Sequence, residues 1–159
     1  MNGLLWNILL ALIWVGMTED YTPLSLIIGF LLGMLILFFA RRVVGAPNYL
    51  IKVRQAIGLH FFLIWELTKA NLRVAYEVLT PGYGMRPGVI AVPLDAKTDV
   101  EITLLANLIT LTPGTLSLDV SSDRRVLYIH AMYVDDGDLE AVRRSIKEGF
   151  ERRVLELLR

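Results

Sequence analysis

Leu24 to Ala40, LSLIIGFLLGMLILFFA, is a nearly unbroken apolar run that stops on Arg41 and Arg42. As an α-helix its roughly 17 residues reach about 25 Å at about 1.5 Å per residue. That is close to the short end of what crosses a hydrocarbon core of about 30 Å. Leu, Ile, Phe and Met, interrupted by Gly29 and Gly33, suit lipid better than the interior of a soluble domain, and the two arginines mark the return to water. Whatever follows Arg42 is therefore expected at a membrane. The hydrophobic fraction of 55% exceeds the roughly 45–50% of ordinary domains, and the excess lies before Trp65. Sixteen basic residues balance sixteen acidic ones, so no bulk field draws nucleic acid. The chain contains no cysteine, which excludes disulfides, thiolate metal sites and cysteine nucleophiles together.

A second apolar run, Leu4 to Met17, precedes the first, with Asn7 its only clearly polar side chain. A signal peptide is the rival reading, but no basic residue precedes the run and no small-x-small cleavage site follows it. The link Thr18 to Pro23 turns the chain back, so residues 1–42 are expected to form a transmembrane helical hairpin with Trp14 and Tyr21 at aromatic-belt positions. Gly29 and Gly33 form a small-xxx-small pattern that admits a second helix closely. Arg41, Arg42, Lys52 and Arg54 cluster after the second run, while the link carries only Glu19 and Asp20. The positive-inside rule then places the N-terminus and the basic segment in the cytoplasm, where the basic residues also meet anionic lipid headgroups.

Residues 43–82 are expected to contain an amphipathic helix. Ile57 to Trp65 is apolar apart from His60, and Glu66, Lys69, Arg73 and Glu77 follow at spacings of three and four. Ile64, Trp65, Thr68, Leu72, Ala75 and Leu79 fall mostly on the other side. Such a helix either lies along the interface with its apolar face down or crosses as a third span whose polar stripe meets a partner. The charge rule favours the interfacial placement.

Residues 83–159 read as a small cytoplasmic α+β domain of order β-α-β-β-α. A strand runs over Val89–Val92, and Thr98-Asp99-Val100-Glu101 fits a capping box opening a helix through Val100, Leu104, Leu105 and Leu108. Leu116, Leu118 and Val120 alternate with Thr115, Ser117, Asp119 and Ser121, the pattern of a half-buried strand with serine on its polar side. Arg125–Val134 returns as the third strand. Asp138 caps a last helix with a stripe of Leu139, Val142, Ile146, Phe150, Val154 and Leu157 and with Glu140–Arg144 and Glu148–Arg152 pairs. A right-handed crossover followed by a hairpin gives a three-stranded sheet with two helices on one face and the other face uncovered.

No catalytic constellation is present. His60, Glu66 and Lys69 are the polar residues nearest membrane depth, and they read as an interfacial histidine and an i,i+3 ion pair. His130 reads as a structural hydrogen bonder in a packed sheet. Asp135-Asp136-Gly137-Asp138 lacks the spacing of a calcium loop and serves as turn and cap. No metal, cofactor or enzymatic activity is expected.

The stretch Ala106 to Leu116, ANLITLTPGTL, is more particular. Asn107 and Thr110 can bond the last helical turn, and Thr112-Pro113-Gly114 makes an abrupt helix-to-strand corner. It resembles the signature of the E subunit of Mrp-type (Mnh-type) multi-subunit cation:proton antiporters. Arg86-Pro87-Gly88, Leu127-Tyr128-Ile129-His130-Ala131 and the overall layout extend that resemblance over nearly the whole chain. It implies an accessory subunit of an inner-membrane assembly that exchanges sodium or another monovalent cation for protons, needed for assembly or full activity, with ion passage carried by large partner subunits. Its partners would be those subunits and membrane lipid, with no nucleic acid. A stand-alone membrane-tethered ligand- or peptide-binding module is the competing reading.

Overall fold

The structure is a computed structural model that describes residues 2–40, 49–80, 84–134 and 138–159. The chain divides into two units, Met1–Arg54 and Gln55–Arg159.

In the first unit α1 (Asn2–Thr18) and α2 (Pro23–Ala40) are joined by a tight link with Glu19 at φ 53°. Thr22 Oγ1 accepts from Ser25 N at 3.2 Å, and Pro23 takes the first helical position, where no N–H is needed. Thr18 lies beside Ser25 and Ala11 beside Gly29, while Asn7 meets Gly33, so the two helices run antiparallel. The buried stripe of α2 is Ser25, Gly29, Gly33 and Leu37, every fourth residue, and the large side chains between them point outward. The small residues bring the backbones together: a Cβ on Gly29 would lie 3.0 Å from the Ala11 backbone. The hairpin expectation needs one qualification in length. Among the described residues only α2 is long and apolar enough to cross a membrane, and the apolar part of α1, Gly3–Thr18, falls short of that length.

In the second unit a three-stranded sheet has the order β1-β3-β2, from β1 (Gly88–Pro93), β2 (Thr115–Val120) and β3 (Val126–Ala131). Both pairings are antiparallel, so β1 and β2 run parallel with β3 inserted between them. Helix α3 (Tyr49–Leu79) precedes the sheet in the chain. The capping box forms at the start of α4 (Asp99–Leu111), but the buried face of that helix is Ile102, Leu105, Leu108 and Ile109. Val100, expected inside, is exposed. The core joins Ile90, Val92, Leu127 and Ile129 of the sheet to Leu105 and Ile109 of α4 and to Ile146, Phe150 and Val154 of the C-terminal helical segment. Leu59 of α3 belongs to the same core, and Phe62 stacks edge-on against Phe150 at 5.1 Å.

Strand β2 corrects the sequence reading. Leu116 and Leu118 face outward, whereas Thr115 and Ser117 face α4, where Thr115 Oγ1 donates to Ile109 O at 2.7 Å and Ser117 Oγ to Ala106 O at 3.0 Å. The polar side can turn inward because each hydroxyl finds a carbonyl of α4, so neither is buried without a partner. A register shift between Ser117 and Asp119 leaves Leu118 outside the ladder.

The last helix is not uniformly α. α5 (Leu139–Arg144) passes into a π-helical segment (Ser145–Glu151) and then into α6 (Arg152–Leu158). Ile146, Phe150 and Val154 recur by strict steps of four, and each such step drifts roughly 40° round an α-helix of 3.6 residues per turn. The wider π turn offsets that drift and keeps all three buried. The expected Glu140–Arg144 and Glu148–Arg152 pairs give way to others. Glu140 pairs with Arg143 and Arg152 lies 3.9 Å from Glu156, while Lys147 pairs with Glu151. Asp138 caps α5 by accepting from Ala141 N at 2.9 Å; Asp135 to Gly137 lie outside the described residues.

Candidate functional site

The residues of the Ala106–Leu116 stretch build a corner. Thr112 leaves the helix with its backbone extended, and its hydroxyl donates to Leu108 O at 3.2 Å. Pro113 follows, and Gly114 takes φ +88°, a conformation that side chains disfavour. Thr110 Oγ1 accepts from Ser117 N at 3.1 Å, so it serves the next strand rather than its own helix turn. Asn107 is exposed, and among the described residues its side chain makes no hydrogen bond. The Tyr133 ring packs on Gly114, where an added Cβ would meet it at 3.3 Å, and the Arg73 guanidinium of α3 lies 4.0 Å above the same ring. Gly114→Ala is expected to destabilise the unit by about 1–2 kcal/mol through backbone strain and contact with Tyr133, read as a lower thermal midpoint of the full chain in detergent.

A second cluster surrounds the loop between β1 and α4. Glu151, 1% exposed, accepts from the backbone N–H groups of Asp95 and Ala96 at 2.6 and 2.9 Å, and Lys147 Nζ lies 2.7 Å from its other oxygen. Lys147 also reaches Asp95 at 2.6 Å. Burial opposes the Lys147 charge, but its bonds to Asp95 and Glu151 outweigh that and raise its pKa. The bond from Lys147 in turn holds Asp95 below the usual carboxylate range. Glu101, also buried, accepts from Arg159 Nε at 2.9 Å and from the backbone of Lys97 and Thr98 at 2.7 and 3.1 Å. The Arg159 guanidinium and then those two N–H groups hold its pKa at about 2. A carboxylate with a depressed folded-state pKa contributes stability above its ordinary value near 4.5, and that stability is lost as pH falls toward 2. The thermal midpoint of the full chain should therefore drop between pH 4.5 and 2, and Glu101→Gln should flatten part of that fall.

On α3, Glu66 and Lys69 form the expected ion pair at 2.7 Å, with Lys69 half exposed, and His60 is exposed beside Phe61. The charged stripe does not face open solvent throughout: Arg73 covers Tyr133, and Glu77 accepts from Gly84 N at 3.3 Å. An open groove of about 520 Å³ brings Glu66 and Phe62 opposite Arg144, Glu148 and Arg153. Its charges are mixed in sign, so it selects no single class of ion. His130 differs from expectation. It stands half-buried on the uncovered side of the sheet, beside Val89 and Leu116 in register, and nothing among the described residues hydrogen-bonds its side chain.

The uncovered sheet face exposes Val89, Leu116, Leu118 and Tyr128. The edges beside it are occupied by helix side chains. Arg143 Nε donates to Ala91 O at 2.7 Å and Lys147 Nζ to Pro93 O at 2.9 Å on the β1 side, while Thr110 accepts from Ser117 N on the β2 side. Among the described residues no group of three or more His, Cys, Asp or Glu is placed to hold a metal ion. Sequence reasoning missed Glu151, Asp95 and Arg159. The four-residue spacing of Lys147 and Glu151 was a visible signal, but the loop that Glu151 serves lies 55 and 56 residues away.

Residues 7–157 match a family model described as a Na+/H+ ion antiporter subunit. The chain is 42% identical over 154 residues to the E subunit of the Na+/H+ antiporter of Alkalihalophilus pseudofirmus, covering 97% of this chain and 96% of that one. Among solved structures it is similar to a chain of the membrane-bound sulfane sulfur reductase, an archaeal respiratory membrane complex, at 31% identity and TM-score 0.59, covering 96% of each chain. It is also similar to a chain of the Mrp complex from a Dietzia species, at 27% identity and TM-score 0.50, covering 71% of this chain and 98% of that one.

Proposed function

The chain belongs to the E-subunit family of Na+/H+ antiporters, and from that premise we propose that it is an accessory component supporting assembly rather than carrying ions itself. It is part of a multi-subunit Na+/H+ antiporter complex, and the other subunits of that complex are its partners. The observation that carries the accessory reading is where its buried polar groups are used. Asn7 Nδ2 bonds Tyr49, Thr112 bonds the end of α4, and Glu101 and Glu151 hold the loop before α4, so each of these bonds serves this chain's own architecture, while Asn7 Oδ1 is buried without a partner among the described residues.

In this reading α1 and α2 both cross the membrane, with the short α1 accommodated by local thinning or by neighbouring subunits. The N-terminus and the 83–159 domain lie in the cytoplasm, supported by Arg41, Arg42, Lys52 and Arg54 after α2 against Glu19 and Asp20 in the link. Thr110, Thr112, Pro113 and Gly114 act as structural residues of the corner, whereas Asn107, exposed and without a side-chain hydrogen bond among the described residues, takes no part in holding it. His60 is an interfacial residue, and the Glu66–Lys69 pair is a surface pair of little energetic weight.

The test is a mild-detergent purification through a tag after Arg159, paired with deletion of the chain from cells. The expected result is co-recovery with several many-span membrane proteins in fixed ratio, and loss of those proteins from the membrane when the chain is deleted. Normal assembly of the others with exchange abolished would instead give this chain a direct part in transport. A lone species of 17.9 kDa plus detergent would overturn the reading and favour a tethered binding module.

A further inference from the structure

Helix α3 has two faces with different surroundings. On one, Leu59 lies in the core of the second unit, Phe62 stacks on Phe150, Arg73 covers Tyr133 and Glu77 bonds Gly84. On the other, Phe61, Ile64, Trp65, Leu72, Tyr76 and Leu79 form a continuous stripe whose side chains are between 46% and 83% exposed. The stripe runs for about 27 Å at 1.5 Å per residue. So long an exposed apolar surface marks an interaction site.

We propose that this stripe rests on the membrane surface at the boundary between headgroups and acyl chains, with α3 lying in the plane of the bilayer. The inference rests on the reading that the hairpin is in the membrane. A third span is opposed by packing: along residues 59–77 one flank of the helix carries a folded domain with charged side chains, which hydrocarbon would not accept. A lipid surface fits the stripe itself, because Trp65 and Tyr76 belong to the residue types enriched at membrane interfaces and His60 and Lys69 border them at headgroup level. The start of α3 fits as well. Tyr49 packs on Gly3, and its hydroxyl accepts from Asn7 Nδ2 at 2.6 Å, so the chain enters α3 beside the first turns of α1. That is the level at which an apolar helix meets the headgroups, and Lys52 and Arg54 follow within two turns, suited to anionic lipid.

The chain lacks cysteine, so single labelling sites are clean. The full-length chain carrying Phe61→Cys, Trp65→Cys or Leu72→Cys would be spin-labelled and placed in vesicles of phosphatidylcholine and phosphatidylglycerol, with Leu31→Cys in α2 as a deep reference. Relative accessibility to oxygen and to a water-soluble nickel complex gives the depth of each label. The expected result is a common shallow depth at all three stripe positions, about 5–10 Å below the phosphates, with Leu31 near the midplane. Depth that changes steadily from 61 to 72 through the midplane would overturn the proposal in favour of a span. Water-like accessibility at all three sites would also overturn it. Labels that are shallow in vesicles but become immobile and shielded when the other subunits are added would assign the stripe to a neighbouring protein, again overturning it. A water-exposed Leu31 would sink the hairpin reading and this proposal with it, an outcome distinct from a deep Leu31 with stripe labels in water, which overturns the proposal alone.

Discussion

Glu151→Ala is expected to destabilise the second unit by about 3 kcal/mol or more, because it leaves a partly buried lysine and two backbone N–H groups without their carboxylate. Glu151 sits in the π-helical turn, where its carboxylate meets the Asp95 and Ala96 amides with one oxygen and Lys147 with the other. For a unit of this size the loss corresponds to a fall in thermal midpoint of roughly 12 °C or more. Glu151→Gln should fall between wild type and alanine, since it retains an acceptor for the two amides and loses only the charge. Arg152→Ala is the control. Its side chain is 60% exposed and lies 3.9 Å from Glu156, so its effect should stay within about 0.5 kcal/mol. Equal midpoints for Glu151→Ala and Arg152→Ala would refute the role assigned to this carboxylate.

Gly33→Ala is expected to open the α1–α2 contact. A Cβ at that position would collide with Asn7 Oδ1 and fall 3.2 Å from Leu10 Cβ, so the Asn7 amide must shift and its bond to Tyr49 goes with it. Overpacking of about 1–3 kcal/mol adds to a lost polar contact of about 1 kcal/mol. The measurable outcome is a several-fold loss of monodisperse full-length chain recovered from membranes. The double substitution Asn7→Ala with Gly33→Ala should recover most of that loss, since the obstructing amide is gone. Absence of recovery would mean that Gly33 is needed for something other than this contact.

How far these sites were legible in the residues varies with how local their causes are. The capping box of Thr98 and Glu101 and the Thr112-Pro113-Gly114 corner depend on neighbours within a few positions, and both formed as expected. Small residues four apart on α2 signalled close helix approach, and the backbone contact of Gly29 with Ala11 bears this out. The inward face of β2 was not legible. Alternation locates a strand but does not say which side is buried, and here the side was decided by hydroxyls reaching Ile109 O and Ala106 O. The π turn was hidden for a related reason: steps of four are read as α-helical, and only the demand that three residues joined by two such steps, Ile146, Phe150 and Val154, face one core widens the turn. Long-range partners were the least visible. Glu101 meets Arg159 across 58 positions and Arg73 meets Tyr133 across the whole sheet domain, with no periodicity to announce either.

The side chains of Arg143, Lys147 and Thr110 along the two outer strands bear on the life of the molecule before its complex exists. A copy that has not met its partners keeps its large apolar side chains exposed. Open backbone ribbons at that stage recruit one another into stacked, irreversible aggregates. Arg143 and Lys147 hold the Ala91 and Pro93 carbonyls on one rim and Thr110 holds the Ser117 amide on the other, so these three groups are closed to a strand arriving from another copy. Side chains that look like ordinary helix decoration thus blunt both rims of the sheet at these positions.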